Sequence, residues 1–224
     1  MTLPAGPPWV EGLSMVCHEL RRPLTVIRGA ATLLMEAHDR LPAGNRTQIL
    51  GLIDQNARTM ADLVDDLALV ARLEAGLVQV TPQTVRVGEL MDAALDAVRK
   101  ANPEAQVTVL QPPEISVEAD PEQSVRALRA LISAALQRAP EGPGPELSAE
   151  ASGERVRILV ALPASVTIDE PAEGGLEPFS SSEGDLGLDL FLSRGLARLM
   201  SAEVAVVSLP GGGSAFSFNL SRRV

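Results

Sequence analysis

Two long apolar stripes, separated by a short break, limit most narrowly what this chain can fold into. From Trp9 to about His38, the residues Leu13, Cys17, Leu20, Leu24, Ile27, Ala31 and Leu34 recur at alternating spacings of three and four. That is the seam of a helix laying one stripe against a neighbour. Leu41-Pro42-Ala43-Gly44-Asn45 breaks the pattern, and a second seam follows through Ile49, Leu52, Asn56, Met60, Leu63, Leu67 and Val70. Two long helices with a short loop between them fold back antiparallel. Their combined stripe is too wide for one partner helix, and no second pair of long helices follows in the sequence. Pairing of two copies into a four-helix bundle is the economical solution. On this reading Cys17 is a small core residue rather than a reactive thiol, and Asn56 either sets the register of the seam or faces outward.

The first seam carries Cys17-His18-Glu19-Leu20-Arg21-Arg22-Pro23-Leu24. Imidazole attacks a phosphoryl group at neutral pH through one ring nitrogen while the other keeps its proton, so His18 is a candidate phosphate carrier. Glu19 is placed to accept that proton or orient the ring. Pro23 cannot donate to the Glu19 carbonyl, so a bend beside the histidine is expected, opening it to a partner. Arg22, one turn on, either favours a phosphate there or is a solvated surface cation. The plainer alternative for His18 is an exposed helical histidine without chemistry. His38, with no such context, reads as a helix-end surface residue.

Composition excludes several functions. The 224 residues carry a formal net charge of −10, with Lys100 the only lysine, which speaks against a nucleic-acid backbone as partner. A single cysteine rules out internal disulfides and multi-cysteine metal motifs. The longest uncharged apolar run, Ile158 to Ile168, contains Pro163 and is too short to span a membrane. The N-terminus lacks the basic start and apolar core of a signal peptide. No membrane insertion and a cytoplasmic location are the expectations.

After Ala75-Gly76 the texture changes to mixed α/β. Strand-like segments are Val78 to Val85, Val107 to Leu110, Ile115 to Val117 and Val156 to Val160. Helical ones are Val87 to Lys100, Pro121 to Ala139 and Leu186 to Met200. Asp120-Pro121 is a cap followed by a first-turn proline. Glu203 to Leu209 and Ser214 to Leu220 read as a hairpin, for which Gly211 to Gly213 make a turn rather than a phosphate cradle. The expected organisation is a hairpin over 1–76 and an α/β domain over 77–224.

These features in this order resemble the core of a bacterial two-component sensor histidine kinase, over nearly the whole chain. His18-Glu19-Leu20-Arg21 with Pro23-Leu24 is similar to that family's H-box. Leu63-Val64-Asp65-Asp66-Leu67 with Arg72-Leu73-Glu74-Ala75-Gly76 resembles the usual end of its second helix. The resemblance implies that His18 is phosphorylated and that Glu19 assists. It implies a dimeric four-helix bundle followed by an α/β sandwich like the family's ATPase domain. It further implies a response-regulator receiver docking near Arg21, Arg22 and Pro23, and an upstream sensor protein. Threonine or asparagine, which help to dephosphorylate the partner, is usual where Arg22 stands, so phosphatase activity is not expected.

The second half departs from the family where nucleotide chemistry belongs. The two asparagines of the family's N-box helix, one a magnesium ligand, correspond to Ala130 and Ala134, and the following lysine to Gln137; a methyl group cannot bind a hard cation. The adenine-binding aspartate and glycines are replaced by Ala161-Leu162-Pro163-Ala164-Ser165. The glycine-rich phosphate loop is reduced to Gly187-Leu188-Asp189-Leu190, a carboxylate standing where backbone amides meet phosphate. Asp169, Glu170, Glu173, Glu177, Glu183, Asp185 and Asp189 lie between Ser165 and Ser193 without a Lys or Arg, so a triphosphate meets repulsion. No metal or cofactor is therefore expected, and His18 exchanges phosphate with a receiver aspartate. ATP and magnesium enter only under the alternative of an active autokinase. A non-catalytic scaffold gripping a receiver or another kinase is the third reading.

Overall fold

The computed structural model describes residues 8–37, 41–139, 142–168, 187–210 and 212–222. Helices α1 (Pro8–Glu36) and α2 (Ala43–Glu74) pack along each other as the seams predict. α1 continues through Pro23, which is buried. The expected surface residue His38 lies outside the described residues. Beyond the hairpin come β1 (Gln83–Arg86), α3 (Val87–Ala101), β2 (Thr108–Val109), β3 (Ser116–Ala119), α4 (Pro121–Arg138), β4 (Glu146–Ser152), β5 (Arg155–Ala161), α5 (Gly187–Leu199), β6 (Glu203–Ser208) and β7 (Ser214–Ser221).

Five strands form a mixed sheet in the order β2-β4-β5-β7-β6, parallel only between β2 and β4, while β1 and β3 make a separate antiparallel pair. Along β5, Val156, Ile158 and Val160 are buried and alternate with less buried residues, the period-2 pattern of a sheet covered on one face. Phe216, Phe218 and Leu220 of β7 are likewise buried. Opposite them, α4 contacts β5 and β7 and α5 contacts β6, giving a two-layer α/β sandwich. Asp120 starts α4: its Oδ1 accepts from the Gln123 N–H at 3.0 Å and its Oδ2 from the Thr81 N–H at 2.7 Å, so one carboxylate caps the helix and pins the connecting segment. Gly212 and Gly213, at φ 86° and 84°, make the β6–β7 turn in a conformation other residues resist.

Three expectations need correction. The strand read over Val78 to Val85 is confined to Gln83–Arg86, because only those residues find a partner in β3. β4 was not read as a strand at all: Ser148, Ala149 and Ala151 have little β preference, and pairing with β2 and β5 supplies what their side chains do not. The end of the second seam is also not reserved for the bundle. Leu69 and Val70 are buried in the α/β core, with Leu63, Leu67 and Leu73 packed against it.

Candidate functional site

His18, Glu19, Arg21, Arg22 and Pro23 occupy little more than one turn of α1. Proline has no N–H, so the Glu19 carbonyl loses its usual intrahelical donor at Pro23. Thr25 Oγ1 bonds the Arg21 carbonyl at 2.8 Å, holding the next turn closed. Arg21 and Arg22 are exposed, whereas the Pro23 ring is buried. Of the three residues expected to meet a partner, the arginines present the accessible surface. Cys17 is exposed in the single chain, where α2 covers only part of the stripe.

The α/β domain meets the hairpin near this turn. Arg129 of α4 reaches α2, where its Nη2 donates to Asp66 at 2.6 and 2.8 Å, while Asp62 stands 3.7 Å from Nη1. The side chains of Arg129 and Asp66 are 22% and 12% exposed. Burial raises the Asp66 carboxyl above its usual range and outweighs the pull of Arg129. α5 also packs on α2 and brings Asp189 of its first turn into the same field. Burial pushes Asp189 up to about 7; the negative charges of Asp66 and Glu19 add to the shift, and Arg129 opposes it. Glu19, adjacent to the candidate nucleophile, is therefore electrostatically linked to the second domain.

At the positions to which the sequence resemblance assigns magnesium and nucleotide, the structure places small apolar side chains and an acid. Ala130 and Ala134 are 1% and 0% exposed, so their methyl groups are part of the packed interior. Gly187 opens α5, and Asp189 presents a carboxylate two residues on. Residues 161–165 leave β5 and turn against the β6–β7 glycines: a Cβ on Gly213 would lie 3.2 Å from the Ala164 Cα. Among the described residues no three His, Cys, Asp or Glu side chains group as metal ligands. The acids from Asp169 to Asp185 lie outside the described residues. One cleft, of about 240 Å³, opens elsewhere, between the end of α2, residues 77–79 and the first turn of α4; Arg72, Gln79 and Gln123 are among its lining.

The sequence reading missed Arg129 and treated Asp66 only as part of a helix-end pattern. The available signal was Asp62 and Asp66 one turn apart, with an arginine inside an otherwise apolar stretch of α4.

A histidine-bearing helical hairpin joined to a two-layer α/β sandwich defines the class: a phospho-acceptor hairpin with an ATPase-like domain. Residues 11–76 match the His Kinase A (phospho-acceptor) domain. The chain is 32% identical over 211 residues to the sensor protein CreC of Escherichia coli, covering 92% of this chain and 44% of that protein. Among solved structures, Acinetobacter baumannii histidine kinase AdeS superposes with a TM-score of 0.61 at 17% identity, over 92% of this chain and 98% of that one. Full-length ShkA in complex with AMPPNP gives 0.57 at 25% identity, over 98% and 47%. Residues 11–76 belong to the His Kinase A (phospho-acceptor) family, and the chain as a whole is similar to the catalytic core of two-component histidine kinases. It spans less than half the length of the curated relatives CreC, DivJ and DivL. Among the described residues no helix is long and apolar enough to cross a membrane.

Proposed function

We propose that the chain is a phosphotransfer protein of the two-component class, in which His18 exchanges phosphate with a receiver aspartate and the α/β domain no longer binds ATP. In the uptake direction a neutral ring nitrogen of His18 attacks phosphorus, the P–N bond forms, and the acyl phosphate P–O bond breaks. The electron pair returns to the receiver aspartate as carboxylate. The second ring nitrogen keeps its proton, oriented by Glu19. Arg21 and Arg22 receive the acidic partner, and magnesium comes with the receiver's own acidic pocket. The observation that carries the reading is the burial of Ala130 and Ala134, which leaves α4 without a cation ligand where the family has one.

The hairpin, taken through residue 76, functions as half of a homodimeric four-helix bundle. Leu24, Leu33, Leu50 and Leu52 support this, being 52%, 47%, 57% and 44% exposed in a single chain. The protein acts in the cytoplasm. Phosphatase activity is absent, Arg22 lacking the acceptor that orients a water.

A second reading, an ATP-dependent autokinase, is favoured by the AMPPNP complex of ShkA at 25% identity. Incubation with a receiver labelled as its aspartyl phosphate separates the two. Under the first reading label moves to His18 and is absent from His18→Ala; label arriving only from ATP and magnesium establishes the second. A His18→Ala variant with full cellular activity would instead establish the scaffold reading.

A further inference from the structure

The cleft between the end of α2 and the first turn of α4 has no part in phosphate exchange, yet its lining is chemically specific. Its volume of about 240 Å³ lies just below the ~300–1,000 Å³ usual for clefts that hold drug-sized ligands, which suits a smaller metabolite. Gln123 lines it from α4 and is only 7% exposed. Its backbone N–H is taken by Asp120 at 3.0 Å, but its side-chain Oε1 is buried and receives no hydrogen bond among the described residues. A carbonyl oxygen left in that state is costly. The terminal torsion of glutamine is broad, so a small turn brings Oε1 to a donor entering the cleft.

The charged groups around the cleft narrow the ligand further. Arg72 lines it from the last turn of α2, and its guanidinium has no acid partner among the described residues. Arg126 and Glu122, both on α4, hold each other at 2.8 Å, and the Glu122 side chain keeps 68% of its surface exposed. Asp120 spends its carboxylate on two backbone N–H groups, those of Gln123 and Thr81. Two cations and two carboxylates cancel in sum, so no net field gathers a bare anion. The signs are separated instead: an unpaired cation stands on the α2 wall, and Glu122 with the unused acceptor of Gln123 stands on the α4 wall. Leu69 and Leu77 add apolar surface, the latter 65% exposed.

We propose that this cleft binds a free α-amino acid, its carboxylate on Arg72, its ammonium on Gln123 Oε1 and Glu122, and its side chain against Leu69 and Leu77. The bound molecule bridges the hairpin and the α/β domain, and the assignment is independent of how His18 acquires phosphate. The test is saturation-transfer NMR of the full chain with each common L-α-amino acid in turn, followed by titration calorimetry of those that bind. At least one is expected to bind saturably in the micromolar to millimolar range. Gln123→Met, which keeps the length but removes the acceptor, and Arg72→Gln, at an exposed position, should each weaken it about tenfold or more. Arg99→Gln, on the exposed face of α3, should leave it unchanged. The corresponding amine and the corresponding deaminated acid should each bind at least about tenfold more weakly than the amino acid. Absence of saturable binding overturns the proposal, as does unchanged affinity in either Gln123→Met or Arg72→Gln. A deaminated acid or inorganic phosphate that binds as tightly as the amino acid also overturns it, reducing the cleft to an anion contact at Arg72.

Discussion

Placing asparagine at Ala134 tests whether the α4 position is a vacant ligand site or a filled one. Ala134 is fully buried in the same cluster as Leu131, Ile132 and Ala135. Asparagine adds three heavy atoms beyond the Cβ, and overpacking of a closed core costs about 1–3 kcal/mol. Its amide, without a partner at that depth, adds about 1–3 kcal/mol. The loss of helix preference relative to alanine adds roughly 0.5 kcal/mol more. A total of about 4 kcal/mol is a large share of the roughly 5–15 kcal/mol that stabilises a typical domain, so the variant is expected to fold but weakly. With a urea dependence of about 2 kcal/mol per molar, the circular-dichroism midpoint should fall by about 2 M. Ala134→Ser, smaller and able to bond back along its own helix, should fall by less than half as much. An unchanged midpoint for Ala134→Asn, together with a gain of saturable magnesium–ATP binding, would refute the argument, because it would mean that the space and partners for a ligand side chain are present.

Three further outcomes follow from individual contacts. Asp66→Ala leaves the Arg129 guanidinium inside the interface with its main partner removed and should cost about 2–4 kcal/mol, whereas Asp66→Leu combined with Arg129→Met should lie within about 1 kcal/mol of wild type; urea unfolding of the single and double variants measures the difference. Asp120→Ala removes the α4 cap and the acceptor for Thr81, a loss of about 1–2 kcal/mol in the same assay, and Asp120→Asn recovers only part of it, because its amide offers one acceptor oxygen to two N–H donors. Phe218→Ala, in the closed face of the sheet, should cost about 3–5 kcal/mol, and a loss below 1 kcal/mol would mean that the described packing is wrong.

Local chemistry was legible in the sequence and long-range pairing was not. The ends of α4 could be read within one residue because Asp120-Pro121 combines a cap with a proline that a first turn tolerates. β5 and β7 could be read from their alternating Val, Ile and Phe residues. β4 was missed because its Ser and Ala residues become a strand only between two neighbours. The seams of α1 and α2 were visible as stripes, but a stripe does not name its partner: Leu69 and Val70 turned out to serve the second domain. The Asp66–Arg129 contact joins residues 63 positions apart, and nothing local to either announces the other. At the candidate site the motif around His18 was readable from its spacing. Its link through Glu19 to Asp189 depends on how the two parts of the chain meet.

Titration calorimetry of the full chain with ATP, in the presence and absence of magnesium, tests most directly whether His18 is charged from elsewhere. With Ala130 and Ala134 closed into the interior and Asp189 at the head of α5, no saturable heat is expected up to millimolar nucleotide. Saturable, magnesium-dependent binding in the micromolar to millimolar range would contradict this account and make His18 the first phosphate acceptor of its pathway rather than a relay.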